Sequence, residues 1–310
     1  MSYLIILICI IVLFIIFLFV VSNYFIDESL TRKKVKDINS KKQLFNFSKK
    51  SLEKIKENKK LNEEWLSTIV NNYVYISSYG VKLAANVINN NSNNFVILLH
   101  GYMGKKEEML HFARWYYSKG YNVLLPDLRC HGKSGGYYIG MGYTDRLDIL
   151  NWISYIRQLN SKARIILHGH SMGAAAALFT CGENPDGVLG CVADCSYTSV
   201  YDVFGKELKE LYHMPKFPVL YLFNIIFKHK KNSYSLKDAS VLDYVEKSRI
   251  PTLFIHGEND TFLPVEMSNK LYNRCKARKK LVVVSKAGHA QSELEDSKKY
   301  FREIEKFFKI

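Results

Sequence analysis

The chain has 310 residues, of which 48% are hydrophobic and 14% aromatic, so it can bury a sizeable core. This length suits two domains or one long α/β domain. The formal net charge is +15, but aromatic residues do not interleave with the basic ones and no nucleic-acid-binding motif follows them, so we expect no nucleic-acid partner. The six cysteines lack the paired spacing of a zinc site. We therefore expect reduced, mostly buried thiols and neither a metal nor an organic cofactor.

An uninterrupted apolar run begins the chain. Residues 4–21 include no charged residue, proline or glycine, and at about 1.5 Å per residue a helix of this length approaches the roughly 30 Å hydrocarbon core of a bilayer. A cleaved signal peptide is the alternative, but no basic side chain precedes the run and Val20-Val21-Ser22 is a poor cleavage site. We therefore predict a single transmembrane anchor over residues 1–25, which would place the protein in the cell membrane.

Lysine and arginine dominate the segment after the anchor. The run Arg32-Lys33-Lys34-Val35-Lys36 and further lysines up to Lys60 carry most of the net charge, and we predict a basic, helical juxtamembrane stalk over residues 26–72. This charge suits contact with anionic lipid, a topology signal, or a solvated stalk. A basic flank after a first helix, together with reduced cysteines, favours a catalytic domain on the cytoplasmic side, although N-terminal anchors also precede exported domains.

From residue 73 to the C-terminus, strand-like and helix-like segments alternate. Residues 74–77 and 81–88 predict a leading hairpin that turns at Tyr79-Gly80. Further strands are predicted at 95–99, 122–125, 165–167, 188–194, 252–256 and 281–284, and helices at 105–118, 144–159 and 174–179. Repeated βα units predict an α/β fold with a mostly parallel central sheet and helices on both faces.

The loop after residue 99 is rich in glycine. The predicted strand over residues 95–99 leads into His100-Gly101-Tyr102-Met103-Gly104, where the glycines would let backbone N–H groups turn toward a substrate oxygen. We predict that the backbone N–H of Tyr102 is one donor of an oxyanion hole. This role requires only the backbone of Tyr102, and its ring could line the pocket or pack against the lid.

A serine framed by glycines lies between the strand at 165–167 and the helix at 174–179. In Gly169-His170-Ser171-Met172-Gly173 both glycines have a physical reason, because a strand that reverses sharply into a helix leaves no room for Cβ atoms beside the serine. We predict that Ser171 is a nucleophile and that the N–H of Met172 is the second oxyanion donor. His168 and His170 flank the serine but follow no late strand, so packing or local hydrogen bonding is expected of them.

The regular alternation stops between residues 196 and 241, where aromatic residues are frequent. Pro215 and Pro218 predict a break in this segment, and residues 219–227 are strongly apolar. We predict a helical lid insertion over about 196–241. Its aromatic side chains could cover a pocket, contact lipid, or form the core of the lid itself.

A base and an orienting acid follow the serine in the chain. The strands at 252–256 and 281–284 lead to Asp260 and His289, and strand C-termini gather at one edge of an open α/β sheet. The order Ser, Asp, His differs from the order in chymotrypsin and subtilisin. We predict a triad of Ser171, His289 and Asp260. Asp194, at the end of another strand, is the alternative acid and the less favoured one.

Five ordered motifs from about residue 73 onward resemble those of the α/β-hydrolase superfamily. They are similar above all to its bacterial membrane-associated serine-aminopeptidase-like or lysophospholipase-like branch. The motifs are His100 to Gly104, Pro126-Asp127-Leu128-Arg129-Cys130-His131-Gly132-Lys133-Ser134, Gly169 to Gly173, His256-Gly257-Glu258-Asn259-Asp260-Thr261-Phe262-Leu263-Pro264, and Gly288-His289. The resemblance implies an α/β-hydrolase fold over residues 73–310, a serine hydrolase mechanism, and a structural role for His131. Cys130 stands where the family usually has glycine, which puts that turn in question.

Three classes of function remain open. The leading hypothesis is a serine hydrolase that cleaves carboxylic esters of small or lipid-like acyl substrates through an acyl-enzyme. An aminopeptidase-like amidase would use the same groups but needs a charged residue for the substrate amine, which the sequence does not identify. A non-catalytic membrane scaffold is the third reading, and an intact triad argues against it. Serine at position 171 excludes dehalogenase- and epoxide-hydrolase-type chemistry, which would need aspartate there.

Overall fold

The computed structural model of the protein describes residues 2–32, 47–229 and 234–310. The chain forms two compact units. The smaller one comprises Met1–Thr31 and Ser199–Ser240, and the larger one comprises Arg32–Thr198 and Val241–Ile310. The basic residues predicted between positions 33 and 42 lie outside the described residues.

The larger unit is built on an eight-stranded sheet with the order β1-β2-β4-β3-β5-β6-β7-β8. β1 and β4 each pair with β2 in antiparallel fashion, and every other neighbouring pair is parallel. The predicted mostly parallel sheet of the α/β-hydrolase fold is therefore confirmed. The strands are β1 Asn71–Ser78, β2 Val81–Ile88, β3 Asn94–Leu99, β4 Asn122–Pro126, β5 Arg164–His170, β6 Val188–Asp194, β7 Thr252–Gly257 and β8 Lys279–Val284.

The hairpin of β1 and β2 turns at Tyr79-Gly80, as the sequence predicts. Ser78 pairs with Val81, so two residues make the turn, and both have positive φ angles of 49° and 75°. A two-residue turn of this kind matches the twist of the flanking strands and favours glycine at its second position.

The helices of the larger unit cover both faces of the sheet. Leu110–Ser118 and Ser297–Phe308 contribute to one buried cluster with Val96 and Leu98 of β3. Side chains alternate along a strand, so Ile97 points to the opposite face, where Met172–Gly182 packs on β5 and β6. The helices are α2 Lys49–Leu66, α3 Leu110–Ser118, α4 Asp145–Leu159, α5 Met172–Gly182, α8 Val241–Lys247, α9 Val265–Arg274, α10 Ser292–Glu295 and α11 Ser297–Phe308.

Two segments differ from the sequence-based expectation. The helix expected over residues 105–118 begins with a 3-10 turn, Lys106–Met109, before α3 starts at Leu110. The helix α2, inside the predicted stalk, packs against α3 and α10 and belongs to the larger unit. Its Ser51 hydroxyl lies 2.8 Å from a carboxylate oxygen of Glu295 and 3.1 Å from the Gln291 side-chain oxygen. The compact larger unit therefore begins before residue 73.

The smaller unit consists of the N-terminal helix α1, Ser2–Leu30, and an insertion between β6 and β7 that contains α6, Val200–Tyr212, and α7, Val219–Phe227. α1 packs against α7. The break between α6 and α7 falls at the predicted proline-rich segment. α1 is the one helix of the described residues that is long and apolar enough to cross a membrane.

Candidate active site

The serine predicted as nucleophile occupies a strained turn between β5 and α5. Ser171 has φ 54° and ψ −121°, a backbone conformation that L-residues rarely adopt and that often marks functional sites. A Cβ atom at Gly173 would lie 2.1 Å from the Leu99 carbonyl oxygen, and one at Gly169 would lie 2.2 Å from the Gly173 carbonyl oxygen. The two glycines are therefore required by close backbone approach, which is the reason expected from the sequence.

The structure brings Ser171, His289 and Asp260 into one hydrogen-bonded chain. The Ser171 hydroxyl oxygen lies 2.9 Å from His289 Nε2, and His289 Nδ1 lies 2.8 Å from Asp260 Oδ2. All three residues are buried, and each follows the C-terminal end of a parallel strand. This distance and order let the imidazole accept a proton from the serine while the carboxylate holds the opposite ring nitrogen.

Asp260 is held in its ionised form. Burial by itself would raise the pKa of this carboxyl, but the charge of His289 and hydrogen bonds from His256 and His289 bring its pKa well below the usual range. The other oxygen, Oδ1, accepts a hydrogen bond of 2.8 Å from the Leu263 N–H. A carboxylate fixed on both oxygens is suited to orient an imidazole and to stabilise its charged form.

Asp194, the alternative acid, lies in a different environment. Its Oδ1 lies 3.2 Å from the Ser292 hydroxyl oxygen, and Tyr300 also hydrogen-bonds to the carboxyl group. Burial raises the pKa of Asp194 to about 7, although His256, Tyr300 and Ser292 each act in the other direction. The hydrogen-bond partner of His289 Nδ1 is Asp260, so the geometry agrees with the preference for Asp260.

The glycine-rich loop after β3 lies beside the nucleophile. A Cβ atom at Gly101 would be 3.4 Å from Ser171 Cβ and 3.2 Å from His170 Cδ2, so a larger residue at position 101 would crowd the serine. Tyr102 follows directly in this loop. Met172 is the first residue of α5, and the first amides of a helix have no acceptor within the helix. Both predicted oxyanion donors therefore belong to segments that meet at Ser171.

Two histidine rings fix this loop to the segment after β4. His131 Nε2 accepts a 3.1 Å hydrogen bond from the Met103 N–H, so its Nδ1 carries the proton and donates to the Arg129 carbonyl oxygen at 2.8 Å. His100 Nε2 accepts from the Leu128 N–H at 3.0 Å, and its Nδ1 donates to the Gly101 carbonyl oxygen at 2.9 Å. The bracing role that the resemblance implied for His131 is therefore accompanied by an equivalent one for His100.

Sequence reasoning missed a buried ion pair beneath this loop. Lys106 Nζ lies 2.8 Å from Asp127 Oδ2, which also accepts hydrogen bonds of 3.0 Å from the Tyr73 hydroxyl and from the Lys133 N–H. Burial would lower the pKa of Lys106, but hydrogen bonds with Asp127 and Tyr73 outweigh burial and raise it. Tyr73, Lys106 and Asp127 are far apart in the chain. The motif that includes Asp127 was visible in the sequence, but nothing there indicated that Lys106 and Tyr73 contact it.

Cys130, the departure from the family pattern, keeps the turn. Its φ is 66°, in the region where glycine is usual, and its N–H donates to the Gly135 carbonyl oxygen at 2.9 Å. The cost of placing a side chain there is about 1–2 kcal/mol. The turn therefore has the conformation that glycine would favour, with a buried thiol in place of a hydrogen atom.

Among the described residues, one cluster brings three metal-ligating groups together: Cys195, Asp260 and His289, whose ligand atoms lie within 4.8 Å of one another. Metal binding requires the thiolate of cysteine. Burial raises the pKa of Cys195 well above its usual value, and Asp260 and His289 already bond to each other. The cluster therefore suits proton transfer better than metal binding.

The chain is similar to known proteins over this same region. The family described as serine aminopeptidase, S33 matches residues 90–231. The protein YqkD of Bacillus subtilis is 28% identical over 238 residues, which cover 76% of this chain and 78% of that protein. The yeast protein YNL320W of Saccharomyces cerevisiae, named as an uncharacterized membrane protein, is 24% identical over 71% of this chain and 70% of its own length.

The solved structure of the Pyrococcus furiosus esterase Pf2001 is similar in fold and in sequence. It superposes with a TM-score of 0.64 at 27% identity, and the match covers 78% of this chain and 91% of that esterase. The coverage of the esterase is close to complete, so the part of this chain that matches corresponds to nearly the whole length of that protein.

Proposed function

We propose that this chain is a membrane-anchored serine hydrolase of the α/β-hydrolase type that cleaves carboxylic esters through Ser171, His289 and Asp260. The observation that carries the proposal is the continuous hydrogen-bonded path from the serine hydroxyl through the imidazole to the buried carboxylate. The similarity to an esterase of known structure supports the choice of ester chemistry.

The proposed reaction has two stages. The Ser171 oxygen attacks the ester carbonyl carbon while its proton passes to His289 Nε2, and the oxyanion that forms is held by the N–H groups of Tyr102 and Met172. His289 then gives that proton to the departing alcohol, which leaves an acyl-enzyme. In the second stage His289 takes a proton from water and the resulting hydroxide attacks the acyl carbon. The bond between the Ser171 oxygen and the acyl carbon then breaks, the carboxylic acid leaves, and His289 returns the proton to Ser171. Asp260 stabilises the imidazolium in both stages. No cofactor takes part in these steps.

Reaction with a fluorophosphonate tests the nucleophile. The full-length protein in detergent should become labelled at Ser171, and Ser171→Ala should lose both labelling and ester turnover, because triad removal typically costs several powers of ten. A matched control is Ser285→Ala, a serine that bonds to Glu258 on the exposed surface, which should retain both. Labelling of the Ser171→Ala variant would contradict the assignment, and a wild-type protein that neither labels nor hydrolyses esters would favour the scaffold reading.

An amidase is the second candidate, because the matching family takes its description from a serine aminopeptidase. The same triad serves both reactions, so substrates must separate them. We expect turnover of p-nitrophenyl esters of rising acyl length, with activity maintained on longer chains if the substrate is an acyl lipid. Faster turnover of aminoacyl-nitroanilides than of every ester would establish the amidase instead.

We further propose that α1 is an uncleaved transmembrane anchor and that the enzyme domain lies on the cytoplasmic side. Apolar side chains from Tyr3 to Phe17 are exposed along the helix, as a lipid-facing span requires, and the basic run that follows the helix favours the cytoplasmic side. The name of the yeast relative is consistent with a membrane location. We also propose that the basic run Arg32-Lys33-Lys34-Val35-Lys36 after the helix contacts anionic lipid, because clustered basic side chains next to a membrane span are attracted to an anionic surface.

Two measurements test this location. The full-length chain should stay in the membrane pellet after alkaline carbonate washing, because peripheral electrostatic contacts do not survive that treatment, and its N-terminus should be intact. Protease added to spheroplasts should leave the enzyme domain uncut, whereas protease added to inverted vesicles should cut it. A mature N-terminus near Asn23 would replace the anchor with a signal peptide, and the opposite protease pattern would reverse the orientation.

A further inference from the structure

The N-terminal helix is longer than a bilayer's hydrocarbon core. α1 has 29 residues, so at about 1.5 Å per residue it spans roughly 43 Å, compared with about 30 Å of hydrocarbon. The first charged residues of the helix are Asp27 and Glu28, near its C-terminal end. If the apolar part fills the hydrocarbon, the last two turns of the helix lie among the lipid headgroups.

The burial pattern of α1 changes along its length. Side chains from Tyr3 to Phe17 are exposed, but from Leu18 onward one stripe becomes buried. Leu18, Ser22 and Ile26 follow a four-residue spacing and are at most 4% exposed, and this spacing places them on one face of the helix. Within the smaller unit α1 packs against α7. The C-terminal part of the anchor, which approaches the headgroups, is therefore the part that has a partner helix.

The helix α7 has an inner and an outer face, and both are apolar. Phe223 and Phe227 are buried, with ring contacts to Phe204 at 5.1 Å and Tyr234 at 5.0 Å between centroids. The one amide side chain of the helix, Asn224, accepts a 2.7 Å hydrogen bond from the Leu236 N–H. The Asn224 side chain therefore bonds within the smaller unit.

The outer face of α7 carries large apolar side chains in water-accessible positions. On the helix, Tyr221 is 55% exposed and Ile225 37%, and their four-residue spacing places them on one face. Phe217, in the turn before the helix, is 74% exposed and extends this stripe, because its ring centroid lies 6.4 Å from that of Tyr221. Lysines stand before and after this stripe, at positions 216 and 228. An aromatic and aliphatic stripe with lysines at its ends is the pattern of a helix that lies in a membrane interface.

We propose that the outer stripe, formed by Tyr221 and Ile225 of α7 and by Phe217 in the turn before it, is inserted into the bilayer interface beside the anchor, with Lys216 and Lys228 at the lipid headgroups. The proposal rests on the anchor role assigned to α1 under the proposed function. Its occupant is phospholipid, because the stripe belongs to the helix that packs against the headgroup-proximal half of the anchor. Insertion to a depth of about 5–10 Å is typical of such a helix.

Depth-dependent fluorescence quenching tests this insertion on the full-length protein. Tyr221→Trp is reconstituted into vesicles of phosphatidylcholine and phosphatidylglycerol, with bromine placed either near the headgroup end or near the methyl end of the acyl chains. The signal of the added tryptophan is its emission minus that of wild type, which has three tryptophans. We expect quenching by both lipids, with stronger quenching by the shallow bromine, and the same order for Ile225→Trp.

Tyr79→Trp is the matched control, because Tyr79 is 72% exposed at a hairpin turn between serine and glycine and should show no quenching. If neither bromine quenches the added tryptophan of the Tyr221→Trp variant, the proposal is overturned. A blue-shifted but unquenched emission would also overturn it, since the stripe would then be covered by protein, including a second copy. Carbonate extraction of the same sample separates the two hypotheses: loss of the chain from the membrane refutes the anchor, whereas retention without quenching refutes the insertion of α7 alone.

Discussion

Replacing Asp260 with asparagine should inactivate the enzyme through the tautomer of His289. The asparagine oxygen can keep the hydrogen bond from the Leu263 N–H, which leaves the amide NH2 at the position of Oδ2, 2.8 Å from His289 Nδ1. Two donors cannot face each other at that distance, so Nδ1 must become the acceptor and Nε2 must carry the proton. Nε2 lies 2.9 Å from the Ser171 oxygen, and once protonated it can no longer act as the base.

The expected loss in kcat is about 10⁴-fold, the magnitude known for this change in another serine hydrolase. At about 1.36 kcal/mol for each factor of ten, that loss corresponds to roughly 5 kcal/mol of transition-state stabilisation. KM should change little, because Asp260 is behind the imidazole and is buried away from the substrate. The whole effect should therefore appear in the chemical step.

The assay is steady-state hydrolysis of a short p-nitrophenyl ester, with Asp194→Asn as the matched control. Burial raises the pKa of Asp194 to about 7, which favours its protonated form, and asparagine resembles the protonated carboxyl. The control should lose less than about tenfold in kcat, because one ordinary hydrogen bond contributes only about 1 kcal/mol. If Asp194→Asn lost more activity than Asp260→Asn, the acid of the triad would be Asp194 and the reasoning from the hydrogen-bond geometry would fail.

Three further predictions concern stability and reactivity. Lys106→Met leaves the buried Asp127 carboxylate without its ion-pair partner and should lower the free energy of unfolding by about 3–5 kcal/mol. The control is Lys59→Met, at a side chain that is 78% exposed, which should change the free energy of unfolding by less than about 0.5 kcal/mol. Equal effects of the two substitutions in denaturant unfolding would contradict the importance of the pair. Burial, followed by the charge of Asp148, raises the pKa of Asp145 from 3.8 to about 7; between these values the folded protein holds a proton that the unfolded chain has released, so stability falls as pH rises, and Asp145→Asn should flatten the fall in Tm between about pH 4 and 7. A Tm profile as steep as that of wild type would refute this sign. The five cysteines of the larger unit are free and buried, so a thiol reagent should modify them only after unfolding, and rapid reaction of the native enzyme at any of them would contradict the structure.

The hydrogen-bonded arrangement of the proposed triad was predictable because each of its parts leaves a local mark in the sequence. Ser171 stands near two glycines, where close backbone contacts leave no room for a Cβ atom. Asp260 and His289 each follow an apolar run that forms a strand. Strand order favours Asp260 over Asp194 as the acid. The hydrogen-bond partner of His289, however, depends on side-chain directions that no spacing rule supplies.

Two other features had no such mark. Lys106 and Asp127 are joined by the fold, and Tyr73 reaches the same carboxylate from a third segment. The docking of α2 was also not visible, because hydrophobic periodicity identifies a buried helix face, whereas this helix buries Ser51, Asn58 and Asn62. A helix whose fully buried side chains carry hydroxyl and amide groups has the composition of a solvated helix, so its sequence predicts a stalk.

The histidine braces at positions 100 and 131 have a kinetic consequence. Each imidazole acts as a rigid spacer between a backbone donor and a backbone acceptor, so the segment that carries Tyr102 has its shape before any substrate arrives. A site that is already ordered needs no reorganisation during the reaction. In a rapid-mixing experiment, release of the first equivalent of nitrophenol should therefore start at full rate, without the lag that an induced-fit loop would produce. Substituting either ring with a flexible side chain should introduce that lag even where the steady-state rate survives.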